Sequence, residues 1–228
     1  MNRQVRLKIE MGTHALAFSV AQPDTEQAMQ AAVTKLDGLL KEAGEAAVRQ
    51  REGLIQVHAA SALKEELRRK MALGIGHMAE VGRAAAGERP ELGSTFRFKP
   101  DASSFRAFLT ACRAMVEAAE AHQETLVKFG QVQSVVDEFK QQLDQFDAAI
   151  TQGNDGRSAH VGATLELQSV AQEIVRTVRV MDARNRQRFA GDPQLLGAWL
   201  YASTVHGKSR AGSEPPAAPA AGESRPAA

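Results

Sequence analysis

The stretch that most constrains this chain is Gln131 to Ile150, QVQSVVDEFKQQLDQFDAAI. Its apolar residues fall at Val132, Val136, Phe139, Leu143, Phe146 and Ile150, in alternating steps of four and three. With roughly 3.6 residues per turn, that spacing gathers them into one narrow stripe on one face of an α-helix. Asp137, Glu138, Lys140, Gln141, Gln142, Asp144 and Asp147 cover the opposite face, which belongs in water. A stripe this narrow is marginal on an isolated helix and requires partner helices. The rest of the sequence has to supply a bundle around it.

It offers several candidates. Asp24 with Gln27 three residues on has a capping-box arrangement. From there a helical pattern runs through Leu36, Leu40, Ala43, Ala47, Leu54, Val57, Leu67, Met71, Met78 and Val81 to about Ala86. Gly44 and Gly53 are possible breaks, but no proline or turn cluster separates the halves. One long helix is expected, on the order of 90 Å at 1.5 Å per residue. Pro90, Gly93 and Pro100 make Gly87 to Lys99 a loop, with Phe96 and Phe98 tucking it onto the core. A second helix opens near Asp101 or Ser103. Its seam is Phe105, Leu109, Cys112, Met115, Ala119, His122, Leu126 and Phe129, kinked at Gly130 and continuous with the opening stretch.

Gly153-Asn154-Asp155-Gly156 is the strongest turn signal and predicts a reversal into a third long helix, with Leu167, Val170, Ile174, Val178, Met181 and Phe189 on its face. Gly191-Asp192-Pro193 ends that helix and starts a short one, Asp192 as N-cap and Pro193 at the first helical position. Leu195, Leu196, Trp199 and Val205 should fold it back as a cap.

The two ends read differently. Val5, Leu7, Ile9 and Met11 alternate with charged residues, and Leu16, Phe18 and Val20 resume the alternation after Gly12-Thr13-His14. A period of two predicts a β-hairpin. A lone hairpin is marginal in water, so it either packs on its own bundle or pairs with another copy, making Val5, Leu7, Ile9, Leu16, Phe18 and Val20 a candidate self-association strand. Residues 207–228 hold almost no large apolar side chains and are expected to be a disordered Pro/Ala-rich tail. The resulting division is an arm over 1–22, a helical bundle over 23–206 and the tail.

Composition narrows the chemistry. A formal charge of +1 argues against wholesale nucleic-acid or membrane-surface binding. A single cysteine, Cys112, excludes an intrachain disulfide framework, and its place on a seam suits a buried thiol. No signal peptide or membrane-length apolar run is visible, so a cytoplasmic protein is expected.

No His has the Glu three residues before it that di-iron bundles use. His77 and Glu80 have the reversed spacing, and His122 is a lone candidate ligand. Nucleophile-elbow, Walker and dinucleotide-binding motifs are absent. Leu63 to Lys70 is rich in charge, but Glu65–Arg69 and Glu66–Lys70 are i,i+4 pairs that suit a solvated helix face. Arg176, Arg179, Arg184, Arg186 and Arg188 form the candidate basic contact. On a helical wheel they spread around the polar arc, where a groove-reading helix would concentrate them, so bonds to nearby carbonyls and acids are the expected use.

The segments FDAAITQGNDGRSAHVGATLEL and NRQRFAGDPQLLGAWLYASTV resemble a set of uncharacterised bacterial helical proteins, over about Asp24 to Val205. The resemblance implies bacterial origin and a single helical unit, and brings no activity with it. The expectation is a mainly all-α fold: an elongated antiparallel bundle of three long helices, a short C-terminal cap helix and an N-terminal β-hairpin. The expected function is non-enzymatic and needs no cofactor: a scaffold or protein-interaction module, self-associating into a homo-oligomer. The alternatives are a nucleic-acid-associated accessory protein using Arg176 to Arg188 and Lys64 to Lys70, and a metal-binding bundle centred on His122.

Overall fold

A computed structural model of the chain describes residues 1–98 and 104–206. Seven helices follow in order: α1 (Arg3–Ala21), α2 (Gln27–Ala85), α3 (Pro90–Thr95), α4 (Phe105–Ala121), α5 (Gln123–Lys128), α6 (Gln133–Arg188) and α7 (Pro193–Ala202). Among the described residues there is no strand. The fold is mainly all-α, as expected, but its long helices are not the three that the sequence suggests. The expected tail and the helix starts at Asp101 and Ser103 lie outside the described residues. Contacts divide the chain into two compact units, one of residues 42–169 and one of 2–41 with 170–206.

The N-terminal hairpin is overturned. Residues Val5 to Val20 lie in α1, capped by Asn2, whose side chain accepts from the Gln4 N–H at 2.9 Å. The face that α1 buries is Val5, Leu7, Met11, Gly12, Ala15 and Ser19, a helical spacing. Half of that face is small or polar, so hydropathy alternation misses it. A Cβ on Gly12 would stand 2.6 Å from the Ile174 side chain, so this glycine permits close helix packing and is no turn. Ser19 hides its hydroxyl by donating to the Ala15 carbonyl at 2.8 Å.

The predicted long first helix is continuous as α2, starting two to three residues after the expected cap. The Asp24 carboxylate accepts from the Glu26 N–H at 3.0 Å. In the unit of residues 42–169, α2 meets α3, α4, α5 and the first half of α6 around one core. Met71, Met78, Leu92, Phe96, Phe108, Leu126, Phe139 and Phe146 are among its largest members. The opening seam behaves as read, with Val136, Phe139, Leu143 and Phe146 buried and Ile150 packed against them, while Val132 faces water. Phe96 is buried and Phe98 packs on the core as expected, although Pro90–Thr95 between them and α2 is a short helix and not a plain loop.

Two breaks are exchanged relative to expectation. The chain ends α5 at Gly130, whose φ of +96° is the left-handed conformation glycine adopts most readily. The Gln131 N–H donates to the Leu126 carbonyl at 3.0 Å and the Gly130 N–H to Val127 at 3.1 Å, the two bonds of a Schellman stop. The reversal at Gly153–Gly156 does not occur: α6 runs through it unbroken. A Cβ on Gly156 would meet the Gln56 Cβ at 2.8 Å and the Gly53 carbonyl at 2.9 Å. Two glycines cost helix propensity of about 1 kcal/mol each, and close contact with α2 offsets it.

The unit of residues 2–41 and 170–206 packs α1, the start of α2, the end of α6 and α7. Here the start of the short C-terminal helix follows the sequence, whereas Val205, expected on its apolar face, lies beyond α7 and is exposed. Asp192 accepts from the Gln194 and Leu195 N–H groups, both at 3.0 Å, with Pro193 at the first position. Trp199 is fully buried against Phe18, ring centroids 5.4 Å apart, and its indole N–H donates to Asp182 at 2.8 Å.

Candidate functional site

The five arginines of the candidate basic contact are not brought together as a free patch. Arg188 donates to the carbonyls of Gln22 and Pro23 at 3.0 and 2.8 Å, and Arg184 pairs with Glu26 at 2.7 Å and Asp24 at 3.3 Å. Both tie down the connection between α1 and α2. The Glu26 N–H, helped by Arg184 and Arg188 against the burial that pushes the other way, holds the Asp24 carboxyl below the usual carboxylate range. Arg186 pairs with Asp182 at 2.8 Å, and Arg176 with Glu173. Four of the five thus neutralise local acids or backbone, as the wheel suggested. In the Lys64 to Lys70 run, Lys64 and Arg68 lie over the Phe105 and Phe108 rings at 4.7 and 5.0 Å, and of the two expected i,i+4 pairs Glu66–Lys70 forms, at 2.7 Å.

The candidate self-association residues are likewise redistributed. Val5 and Leu7 are buried, Ile9, Leu16 and Phe18 are half-buried, and Val20 is exposed. With the segment helical, its backbone groups are bonded within α1 and there is no strand edge to extend.

His122 closes α4 and opens α5, its N–H donating to the Ala118 carbonyl at 3.1 Å. Among the described residues no group of three His, Cys, Asp or Glu is placed to hold a metal. Cys112 is fully buried, and burial pushes its thiol up to about 12, with Arg68 pulling weakly the other way. The thiolate needed for reactivity is therefore scarce at neutral pH.

Two sites escape the sequence reading. Where α2 passes α6 at Gly53 and Gly156, the contact is polar. The Gln50 amide donates to Thr164 Oγ1 at 2.7 Å, His160 Nδ1 donates to the Gln50 carbonyl at 2.9 Å, and Arg49 pairs with Glu166 at 2.6 Å. Ser158 and His160 sit in mid-helix here. The second site is an open groove of about 520 Å³ between α2 and α6, with Lys70, Leu73 and His77 on one wall and Val135, Glu138 and Gln142 on the other. Phe139 forms its floor beside Gly74, and His77 Nε2 is out of water without a hydrogen-bond partner. Leu73 is 81% exposed. Its sequence surroundings, Met71-Ala72-Leu73-Gly74-Ile75, carry little signal, because Leu73 reads there as one more apolar residue.

No family model, curated protein or solved structure matches this chain. No helix among the described residues is long and apolar enough to cross a membrane.

Proposed function

We propose that the chain is a non-enzymatic helical scaffold that works by holding protein surfaces together, its own copies first among them. What supports this reading is the apolar surface that the long helices leave in water within one unit: Val48, Ile55 and Leu73 on α2, Val161 and Leu165 on α6. Leu73 carries most of the argument. A single exposed aliphatic is ordinary, but this one stands on the rim of an apolar-floored groove. Covering such surface is favourable by roughly 25 cal/mol per Å². The basic helical segments support a nucleic-acid reading less well, because Arg176, Arg184, Arg186, Arg188, Lys64, Arg68 and Lys70 are spent on neighbouring acids, carbonyls and rings.

Light scattering on the full chain, from micromolar to near-millimolar concentration, tests the reading. The expected result is a mass that rises above the 24.5 kDa of one chain as concentration increases. A constant 24.5 kDa throughout would contradict self-association.

A further inference from the structure

Everything α1 packs against lies on the far side of its own connector. Gly12 lets the helix lie on Ile174 of α6 and on Leu36 and Leu40 of α2, and Phe18 meets the Phe189 and Trp199 rings at 5.6 and 5.4 Å. None of these contacts depends on which copy of the chain supplies the helix. All are recovered if α1 of a second copy lies in the same seat, as when identical chains exchange a terminal element. Only the connector, residues 22–26, differs between the two arrangements.

That connector is lightly held. It buries no apolar side chain, since Pro23 is exposed. Beside it an open cleft of about 310 Å³ runs between the end of α1 and the start of α2, with Val20, Pro23, Met29 and Val33 among its walls. What folds the connector back is polar. Arg188 donates to the Gln22 and Pro23 carbonyls at 3.0 and 2.8 Å, Arg184 pairs with Glu26 at 2.7 Å, and the Gln30 amide donates to the Asp24 carbonyl at 3.3 Å. Contacts between half-exposed groups of this kind contribute little each. The closed connector is therefore only slightly favoured over an open one, and chain concentration can reverse the balance.

We infer that α1 is an exchangeable arm: two copies of the chain associate by each laying its α1 on the Ile174, Phe189 and Trp199 seat of the other. Arg184 and Arg188 are the positioning residues that keep the arm on its own chain, because their bonds to the connector exist only while it is folded back. The inference rests on the self-association reading above and names the element exchanged.

Mixing a His14→Cys chain with a Tyr201→Cys chain tests the inference. Both side chains are exposed, and their rings stack within one chain with centroids 6.3 Å apart, so each marks one side of the seat. A near-millimolar mixture treated with a short thiol-to-thiol cross-linker should yield two chains joined between positions 14 and 201, identified by peptide mapping. By sedimentation equilibrium Arg188→Ala should associate roughly tenfold more tightly, because each closed connector loses two hydrogen bonds that the exchanged form never makes. Circular dichroism checks that this variant stays helical. A mass that rises with concentration but no link from 14 to 201 would overturn the exchange while leaving self-association standing. Association no tighter in Arg188→Ala would overturn the role of that side chain as the latch. The mass of one chain at every concentration, with no link, would overturn the arm and the reading together.

Discussion

The pair α2 and α6 makes two kinds of contact within the unit of residues 42–169. Towards Leu67–Ala85 and Val136–Phe146 it joins α3, α4 and α5 around phenylalanine, leucine and methionine side chains. At Gln50–Ala60 against Gly153–Thr164 the residues that meet are Gln50, Gly53, Gln56 and Ala60 with Gly153, Gly156, His160 and Thr164. The first contact is made by large side chains and tolerates no loss of volume. The second is made by backbone against backbone and tolerates no gain of it. A helix pair can be held either way, and the sequence advertises only the first.

The sharpest way to break the comparison is to delete volume where volume does the holding. Phe146 is fully buried and meets the Phe105 and Phe108 rings at 5.8 and 5.6 Å. Phe146→Ala should cost about 4 kcal/mol by urea unfolding, from lost burial plus the cavity it leaves. A loss under about 1 kcal/mol would mean that the core is looser than its packing implies.

Adding volume should have opposite signs at two glycines of α2. A Cβ on Gly53 would stand 2.6 Å from the Gly156 carbonyl and 2.7 Å from the His160 amide, both backbone atoms that cannot swing aside. Gly53→Ala should therefore destabilise by about 2 kcal/mol despite its better helix propensity. Around Gly76 a Cβ meets nothing within 4 Å, and Gly76→Ala should stabilise by up to about 1 kcal/mol. Equal effects at the two positions would deny that the crossing is a close backbone contact.

The smallest effect is a titration confined to the large-residue core. The Cys112 thiol, pushed up to about 12 from an ordinary value of 9.0 by burial, keeps its proton when the unfolded chain has lost it. Below pH 9 both states are protonated and stability is intact. As pH rises from there towards 12 the unfolded state gains, by about 1.4 kcal/mol for each unit. Denaturation midpoints between pH 8 and pH 10 should fall in the wild type and fall less in Cys112→Ala. Identical slopes would show that this thiol is not held neutral by the core.

The sequence made legible whatever is written in large side chains. The stripe Val136–Phe146, the α4 seam from Leu109 to Met115 and the Asp192–Pro193 helix start all stand where periodicity and capping place them. Small residues hid the rest. In α1, Gly12, Ala15 and Ser19 lie on the buried face, so the visible alternation of Val5, Leu7 and Ile9 imitates a strand. At Gly153–Gly156, turn chemistry and close packing call for the same residue type, and only the position of α2 decides between them. Gly130, with equal claim to be a kink, is the one that adopts a left-handed φ and stops the helix. The arginines were legible as local partners because their scatter on the wheel is itself informative. The Leu73 groove was not, because it belongs to two helices some 60 residues apart in sequence.

Gly153 is a helix-contact residue facing α2 and not part of a turn. Its Cβ position lies 3.3 Å from the Ala60 Cβ, close to the 3.5–4.5 Å that a disulfide spans. Ala60→Cys with Gly153→Cys, in a chain whose native thiol is buried, should form a disulfide within one chain under mild oxidation, identified by peptide mapping. Two thiols that stay free while the fold remains helical would place Gly153 away from α2 and restore the reversal that the turn signal predicts.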